Sequence, residues 1–203
     1  MRGGRMPMKI LLRSSPPSLS IAEARTIRAN FGSADRLPST VSRIPLGASG
    51  PIDRHAIDFL FDYDIFPPRI IRAVTEWRSE GRTMRAGDII IQRASLPPFG
   101  LGIRAEFAVR VCEIFDDPRR RGFAYETLDG HAERGVSAFY IEDVDGALDF
   151  VIHTRSEAGH WLSRLVGPVF TLPFQRWCTR QALEHVRSRF QEENSAGISY
   201  DRT

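Results

Sequence analysis

Apolar and polar residues alternate with a period of two through most of the stretch 122–156. Three runs of this kind, at 123–128, 136–141 and 148–153, are rich in aromatic and β-branched residues, which is typical of strands in a sheet. Asp145-Gly146 separates the last two runs, and glycine tolerates the positive φ of a tight hairpin turn. The pattern therefore predicts three consecutive antiparallel strands.

A helical pattern follows at 161–190. Apolar residues recur at every fourth position along its second half, which predicts a buried stripe. The residues of this stripe are Cys178, Ala182, Val186 and Phe190. Pro168 and Pro173 predict an interruption, with a short helix ahead of the main one. The residues from Glu192 onward are polar and predict a frayed tail.

Weaker patterns predict the remaining elements. Strands are expected at 41–46, 70–77, 89–94 and 103–115, and a short pairing segment at 9–13. The strand at 41–46 is placed at a sheet edge because Pro45 has no amide hydrogen to donate. Helices are expected at 20–31, where Ser20 and Glu23 form a capping box, and at 51–61. A Pro/Gly hinge is expected at 96–102. Together these elements predict an α+β protein whose antiparallel sheet is covered by a long C-terminal helix.

The turn after the first of the three strands carries a motif, GFAYETLDGHAERG at 122–135. It resembles the signature of the family catalogued as domain of unknown function 1990, GFAYGTLPGHPERGEE, and the resemblance extends more weakly over 42–186. The matching positions are Gly122, Phe123, Ala124, Tyr125, Thr127, Leu128, Gly130, His131, Glu133, Arg134 and Gly135. Glu126 replaces a usual glycine, and Asp129 and Ala132 replace usual prolines.

This resemblance implies a helix-grip fold, similar to the START-like and Bet v 1-like (SRPBCC) superfamily. In that fold a curved antiparallel sheet, here of about six or seven strands, wraps a long C-terminal helix around a cavity. The expected organisation is an N-terminal arm with a short helix at 1–41, a helix-grip domain at 42–192 and a polar tail at 193–203. The resemblance implies no particular reaction.

Composition excludes several classes of protein. Hydrophobic residues make up 42% and charged residues 26% of the chain, as in ordinary globular proteins. The run Arg119-Arg120-Arg121 follows two aspartates and has no interleaved aromatic residues, so no nucleic-acid partner is predicted. No apolar run approaches the roughly 18 residues of a membrane span, and the apolar run at 10–12 is too short for a signal peptide. We therefore expect a cytoplasmic protein.

The two cysteines, Cys112 and Cys178, are predicted to be small buried side chains without a disulfide framework. Metal-binding CxxC and HExxH patterns are missing, and so are nucleotide-binding loops and the GxSxG elbow. No metal and no cofactor are therefore predicted.

Candidate chemistry centres on His131 and Glu133 in the motif turn. A histidine beside a carboxylate can act as a general acid–base pair, and the alternative is that both residues stabilise the turn through backbone hydrogen bonds. His153 is expected at the surface. Candidate ligand-binding residues on a cavity wall share a polar tip or a large aromatic ring: Tyr125, Tyr140, Arg155, Phe107 and Trp177.

Three functions are compatible with these patterns. The first is binding of a small apolar or amphipathic molecule, lipid-like or polyketide-like, between the sheet and the C-terminal helix. The second is an enzyme on the same scaffold, a cyclase or hydrolase that uses His131 and Glu133. The third is a protein-interaction module that uses the N-terminal arm, and a homodimer also stays open.

Overall fold

Eight strands and four α-helices are present in the computed structural model, which describes residues 9–11, 19–95, 104–158 and 168–200. The strands are β1 (Lys9–Leu11), β2 (Ser39–Ser49), β3 (Ile71–Thr75), β4 (Ile89–Ser95), β5 (Arg104–Asp117), β6 (Arg120–Thr127), β7 (Glu133–Val144) and β8 (Ala147–Ala158). The helices are α1 (Ile21–Arg25), α2 (Asp58–Phe61), α3 (Glu76–Ser79) and α4 (Pro168–Tyr200), with single 3₁₀ turns at Ala34–Arg36 and His55–Ile57.

All the strands belong to one antiparallel sheet, in the order β2-β8-β7-β6-β5-β4-β3. The short strand β1 pairs with the first residues of β5, where β6 has already ended. Strands β6, β7 and β8 pair consecutively, as predicted from their alternating patterns, and β5 and β4 continue the sheet beside β6. Pro45 lies in β2 at the edge of the sheet, also as predicted.

Helix α4 packs against one face of the curved sheet, which we call the concave face. Ala182, Val186 and Phe190 are buried there among core side chains of β6, β7 and β8, so the predicted stripe is confirmed for these three residues. The α+β class and the helix-grip architecture predicted from the sequence are thereby confirmed. None of the described helices is both long and apolar enough to cross a membrane.

Two predictions about α4 are wrong. The helix continues through Pro173 without a break, because this residue lies in the second helical turn and removes only one backbone hydrogen bond. The helix also extends beyond Glu192 to Tyr200. Arg189 donates to Glu192 at 2.9 Å and to Glu193 at 3.1 Å, and such pairs three and four residues apart support a helix. The predicted short helix before Pro168 lies outside the described residues.

Helix α1 covers part of the opposite, convex face. The capping box of Ser20 and Glu23 is formed, and Ala24 packs against Ile89 and Ala108. The helix ends at Arg25 rather than at residue 31, since the Asn30 amide donates to the Thr127 carbonyl at 3.2 Å and the chain becomes extended. The helix predicted at 51–61 is likewise shorter, and the hinge predicted at 96–102 lies outside the described residues.

The prediction of two buried cysteines is wrong for Cys112, whose side chain is exposed, while Cys178 is half-buried. Cys112 sits where the register between β5 and β6 shifts between Val111 and Glu113. A bulge of this kind reorients the side chain of the extra residue. Both cysteines are free thiols.

Candidate functional site

The motif at 122–135 builds the hairpin between β6 and β7. A Cβ atom at Gly135 would lie 2.0 Å from the Arg155 carbonyl oxygen on the neighbouring strand, so only glycine fits. The Thr127 hydroxyl accepts a hydrogen bond from the Gly135 amide at 2.8 Å across the hairpin. Gly130 has a φ of 92° in the turn itself. These contacts fix the hairpin that carries His131 and Glu133.

The concave face has two chemically different halves. Its apolar half lies below the segment of α4 from Ala182 to Phe190, and its residues include Val111, Phe123, Phe139, Ile141 and Phe150. The other half collects polar side chains, which we call the polar cluster: Tyr63, Gln92, Tyr125, His131, Glu133, Ser137, Thr154, Ser156 and Gln175. Strand pairing explains this grouping, since Tyr125 lies opposite Ser137 and Ser137 lies opposite Thr154.

Hydrogen bonds connect the centre of the polar cluster. The Gln92 amide donates to the Tyr63 hydroxyl at 2.5 Å, and the Ser137 and Thr154 hydroxyls are 3.2 Å apart. Burial raises the pKa of Tyr125 to about 12 and that of Tyr63 well above its ordinary value. Both phenols therefore keep their protons at neutral pH, and their hydroxyls are hydrogen-bonded to each other and to Gln92.

Tyr63 has a backbone conformation that is rare for a side chain of its size. Its φ is 61°, in the left-handed region, and its buried ring contacts Phe123 and Tyr125. The next residue, Asp64, accepts hydrogen bonds from His185 at 2.9 Å and Arg189 at 3.0 Å, both on α4. The hydrogen bond from His185 is the main reason why the pKa of Asp64 is lowered. Helix α4 thus holds the loop that places Tyr63 in the polar cluster.

His131 is buried and electrically neutral. Its Nδ1 lies 3.0 Å from the backbone nitrogen and 3.2 Å from the carbonyl oxygen of Glu133, and its Nε2 lies 3.4 Å from the Gln92 side-chain oxygen. The Phe107 ring packs edge-on against the imidazole with centroids 4.6 Å apart. Burial lowers the pKa of His131 to about 4. These hydrogen bonds agree with the alternative expectation, in which His131 stabilises the turn.

The Glu133 carboxylate points toward α4 and β8. It accepts hydrogen bonds from the Gln175 amide at 2.6 Å and the Ser156 hydroxyl at 3.2 Å. The residue is half-buried, and loss of hydration raises the pKa of its carboxyl group. His131 bonds to the backbone of Glu133 and lies beside Gln92, and its use with the Glu133 carboxylate as an acid–base pair stays a prediction.

Of the predicted ligand-binding residues, Tyr125 belongs to the polar cluster and Phe107 borders it through His131. Trp177 lies on the part of α4 that supplies Gln175, where it is half-buried and stacks on Phe174 with centroids 5.9 Å apart.

Tyr140 and Arg155 are placed differently, on the convex face. The Arg120 guanidinium lies 3.9 Å from the centre of the Tyr140 ring, and Arg155 pairs with Asp35 at 2.7 Å. The structure therefore does not bring these two residues to the polar cluster.

Six members of the polar cluster were not predicted from the sequence: Tyr63, Gln92, Ser137, Thr154, Ser156 and Gln175. Gln92 did carry a signal, since it directly follows the apolar run Ile89-Ile90-Ile91 and is only 2% exposed. The described residues contain no group of three or more side chains suited to hold a metal ion.

These features define a helix-grip protein with an amphipathic concave face. The chain belongs to the family described as Domain of unknown function (DUF1990), whose model matches residues 29–185. A UPF0548 protein of Deinococcus radiodurans is 35% identical over 88 residues, which are 43% of this chain. The match spans 44% of that relative's length.

Two solved structures are similar to this chain to different extents. The di-domain ARO/CYC StfQ from the steffimycin biosynthetic pathway aligns with a TM-score of 0.53 and 11% identity, covering 77% of this chain and 51% of that one. A protein from Arthrobacter aurescens, known from a solution NMR structure, aligns with a TM-score of 0.47 and 13% identity, covering 82% of this chain and 93% of its own.

Proposed function

We propose that this protein binds a small amphipathic molecule between the sheet and α4, with the polar part of the molecule at the polar cluster. The observation that carries the proposal is the division of the concave face into an apolar and a polar half. Withdrawing polar groups from water costs free energy. Well-packed apolar side chains often stabilise a core as much as buried polar groups do, or more. Polar groups gathered on this one half are therefore best explained by recognition of a ligand.

Packing of α4 supports the same location. Ala182, Val186 and Phe190 are buried, whereas Trp177 and Cys178, one to two turns earlier, are half-buried. The looser packing thus coincides with the polar end of the concave face. A half-buried aromatic ring next to hydrogen-bonding groups offers both kinds of contact that an amphipathic ligand needs.

A ligand screen tests this proposal. Lipid-like and aromatic polyketide-like compounds are tested by native mass spectrometry and thermal shift, and each hit is measured again on Tyr125→Phe. Removing this hydroxyl is expected to weaken binding by about 1 kcal/mol. Tyr140→Phe is the matched control, because it removes the same atom from the convex face. A screen without hits, or equal losses in both variants, contradicts the proposal.

A second candidate function is a cyclase or hydrolase on the same scaffold, with Glu133 as the group that transfers the proton. The observation that favours it is the raised pKa of Glu133, since a carboxyl that titrates closer to neutral pH is a better general acid. His131 is less suited, because a pKa of about 4 makes its imidazole a weak base. Any turnover found among the hits should disappear in Glu133→Gln, and turnover that persists there removes this assignment.

A further inference from the structure

We infer that the bound molecule carries a protonated amine and that the Glu133 carboxylate is its counter-ion. This inference rests on the proposed ligand site and names the chemical class of the polar part of the ligand. It is carried by the partners of Glu133, by the placement of the neighbouring arginines and by the electrostatic proximity of Tyr125 and Cys178 to the carboxylate.

The partners of Glu133 are neutral. Gln175 and Ser156 each donate one hydrogen bond to the carboxylate, one to each oxygen. Among the described residues, Glu133 takes part in no ion pair, although other half-buried carboxylates in the protein do. Glu126, for example, is paired with Arg110 at 3.0 Å. A carboxylate withdrawn from water without a cation is costly, and a cationic ligand group would offset that cost.

The nearest arginines along β7 and β8 are directed elsewhere. Alternation along the strands places Arg134 and Arg155 away from Glu133, and each has its own acidic partner. Arg134 pairs with Glu157 at 3.7 Å and Arg155 pairs with Asp35 at 2.7 Å. His131 supplies no positive charge at neutral pH, because burial lowers its pKa to about 4. In the described part of the chain, the polar cluster therefore has a negative group and no positive one.

Tyr125 and Cys178 lie within electrostatic range of this carboxylate. Burial is the main reason why the pKa values of Tyr125 and Cys178 are raised, and the negative charge of Glu133 adds to both shifts. Glu133 is thus electrostatically close to β6 on one side and to α4 on the other. A protonated amine between them would form a charge-assisted hydrogen bond with Glu133 and contact the faces of aromatic rings.

Other head groups fit this charge distribution less well. A carboxylate or phosphate on the ligand would be repelled by Glu133. A neutral hydroxyl could bind to the Tyr63, Gln92 or Tyr125 groups but would leave the Glu133 charge without a counter-ion. The alternative that Glu133 is protonated and donates to a ligand carbonyl predicts no preference for a cation, so the comparison of head groups distinguishes the two.

The experiment compares three probes that share one body and differ in charge: tryptamine, indole-3-ethanol and indole-3-propionate. A second series uses decylamine, decanol and decanoate below their aggregation concentrations. Binding to the full-length protein is measured by titration calorimetry and ligand-detected NMR. The variants are Glu133→Gln and, as the matched control on the convex face, Glu157→Gln, with folding checked by circular dichroism.

The expected result is that the amine of at least one series binds about tenfold or more tighter than its alcohol and carboxylate, which corresponds to about 1.4 kcal/mol. Glu133→Gln should remove this preference and leave alcohol binding in place, whereas Glu157→Gln should change neither. An alcohol that binds as tightly as the amine, or a preference that survives Glu133→Gln, overturns the inference while the proposed site stands. Failure of every probe, together with a screen without hits, overturns both.

Discussion

Glycines of the motif at 122–135 have a steric role in the sheet. At Gly122 a Cβ atom would lie 2.1 Å from the Phe139 carbonyl oxygen, and at Gly135 it would lie 2.0 Å from that of Arg155. Real Cβ atoms do not approach a backbone oxygen so closely, so the strand would have to move. Because Gly135 also anchors the hairpin to Thr127, a substitution there disturbs His131 and Glu133 as well.

We predict that Gly135→Ala lowers the free energy of unfolding by about 2–4 kcal/mol, in the range that backbone strain and steric clash produce. Chemical denaturation measures this change, and the yield of folded protein reports a more severe effect. The control is Gly32→Ala, since nothing lies within 4 Å of a Cβ atom at that position. Equal stability of the two variants would show that the strands are not packed as described.

His131 makes stability depend on pH in a defined direction. Its pKa falls from an ordinary 6.5 to about 4 in the folded protein, so the unfolded chain binds this proton more readily. The contribution is therefore complete above pH 6.5 and is lost as the pH falls toward 4. The expected loss is about 3 kcal/mol at most, at about 1.4 kcal/mol per pKa unit.

The check is the free energy of unfolding across this pH range for the wild type and His131→Gln. The variant should show a flatter acid limb, while His55→Gln, which changes an exposed histidine, should follow the wild type. An unchanged acid limb in His131→Gln would mean that the imidazole is not buried in its neutral form.

The sequence predicted part of the polar cluster, because alternation shows which residues share a face of a strand. It could not show which face is concave where both faces are apolar. Tyr140 shares its face with Ala138 on β7, and a separate convex cluster with Val151 buries that face as well. For β8 the pattern was decisive, since Phe150 and Ile152 mark the concave face.

At the scale of elements, the loop after α2 is the part of the site that depends most on α4. Asp64 connects the two through His185 and Arg189, and it directly follows the strained Tyr63. Sequence patterns placed a loop at this point but gave no sign of the contact, because its partners are more than 100 residues apart along the chain. Gln175 was missed because its contact with Glu133, 42 residues away along the chain, leaves no periodic signal.

We predict that Asp64→Asn lowers the free energy of unfolding by about 1 kcal/mol, as expected for a partly exposed ion pair. Because the pKa of Asp64 is lowered in the folded protein, this contribution is present above its ordinary value of 3.8 and is lost as the pH falls below it. Asp62→Asn is the matched control, since Asp62 is more exposed and its Arg78 partner is 4.0 Å away. The account of the loop is contradicted if both variants are equally stable at neutral pH.

At the scale of the whole molecule, periodicity predicted most of the strands, and the motif predicted how they assemble. The position of β2 beside β8 could not be read from alternation, because these strands are about 100 residues apart along the chain. The helix-grip resemblance supplied the packing of α4 on the curved sheet, and the pairing of β2 with β8 became known only from the structure. The division of the concave face into halves follows only when the register of β4 to β8 is known.

The central claim is that a small amphipathic molecule occupies the polar half of the concave face, and backbone amide NMR with a screening hit tests it most directly. We predict that titration shifts the amide signals of Gln92, Tyr125, Glu133, Thr154 and Gln175. Signals from Asp35, Arg120 and Asp149, on or near the convex face, should remain in place. Shifts confined to the convex face or to the sheet edges β2 and β3 would contradict the claim.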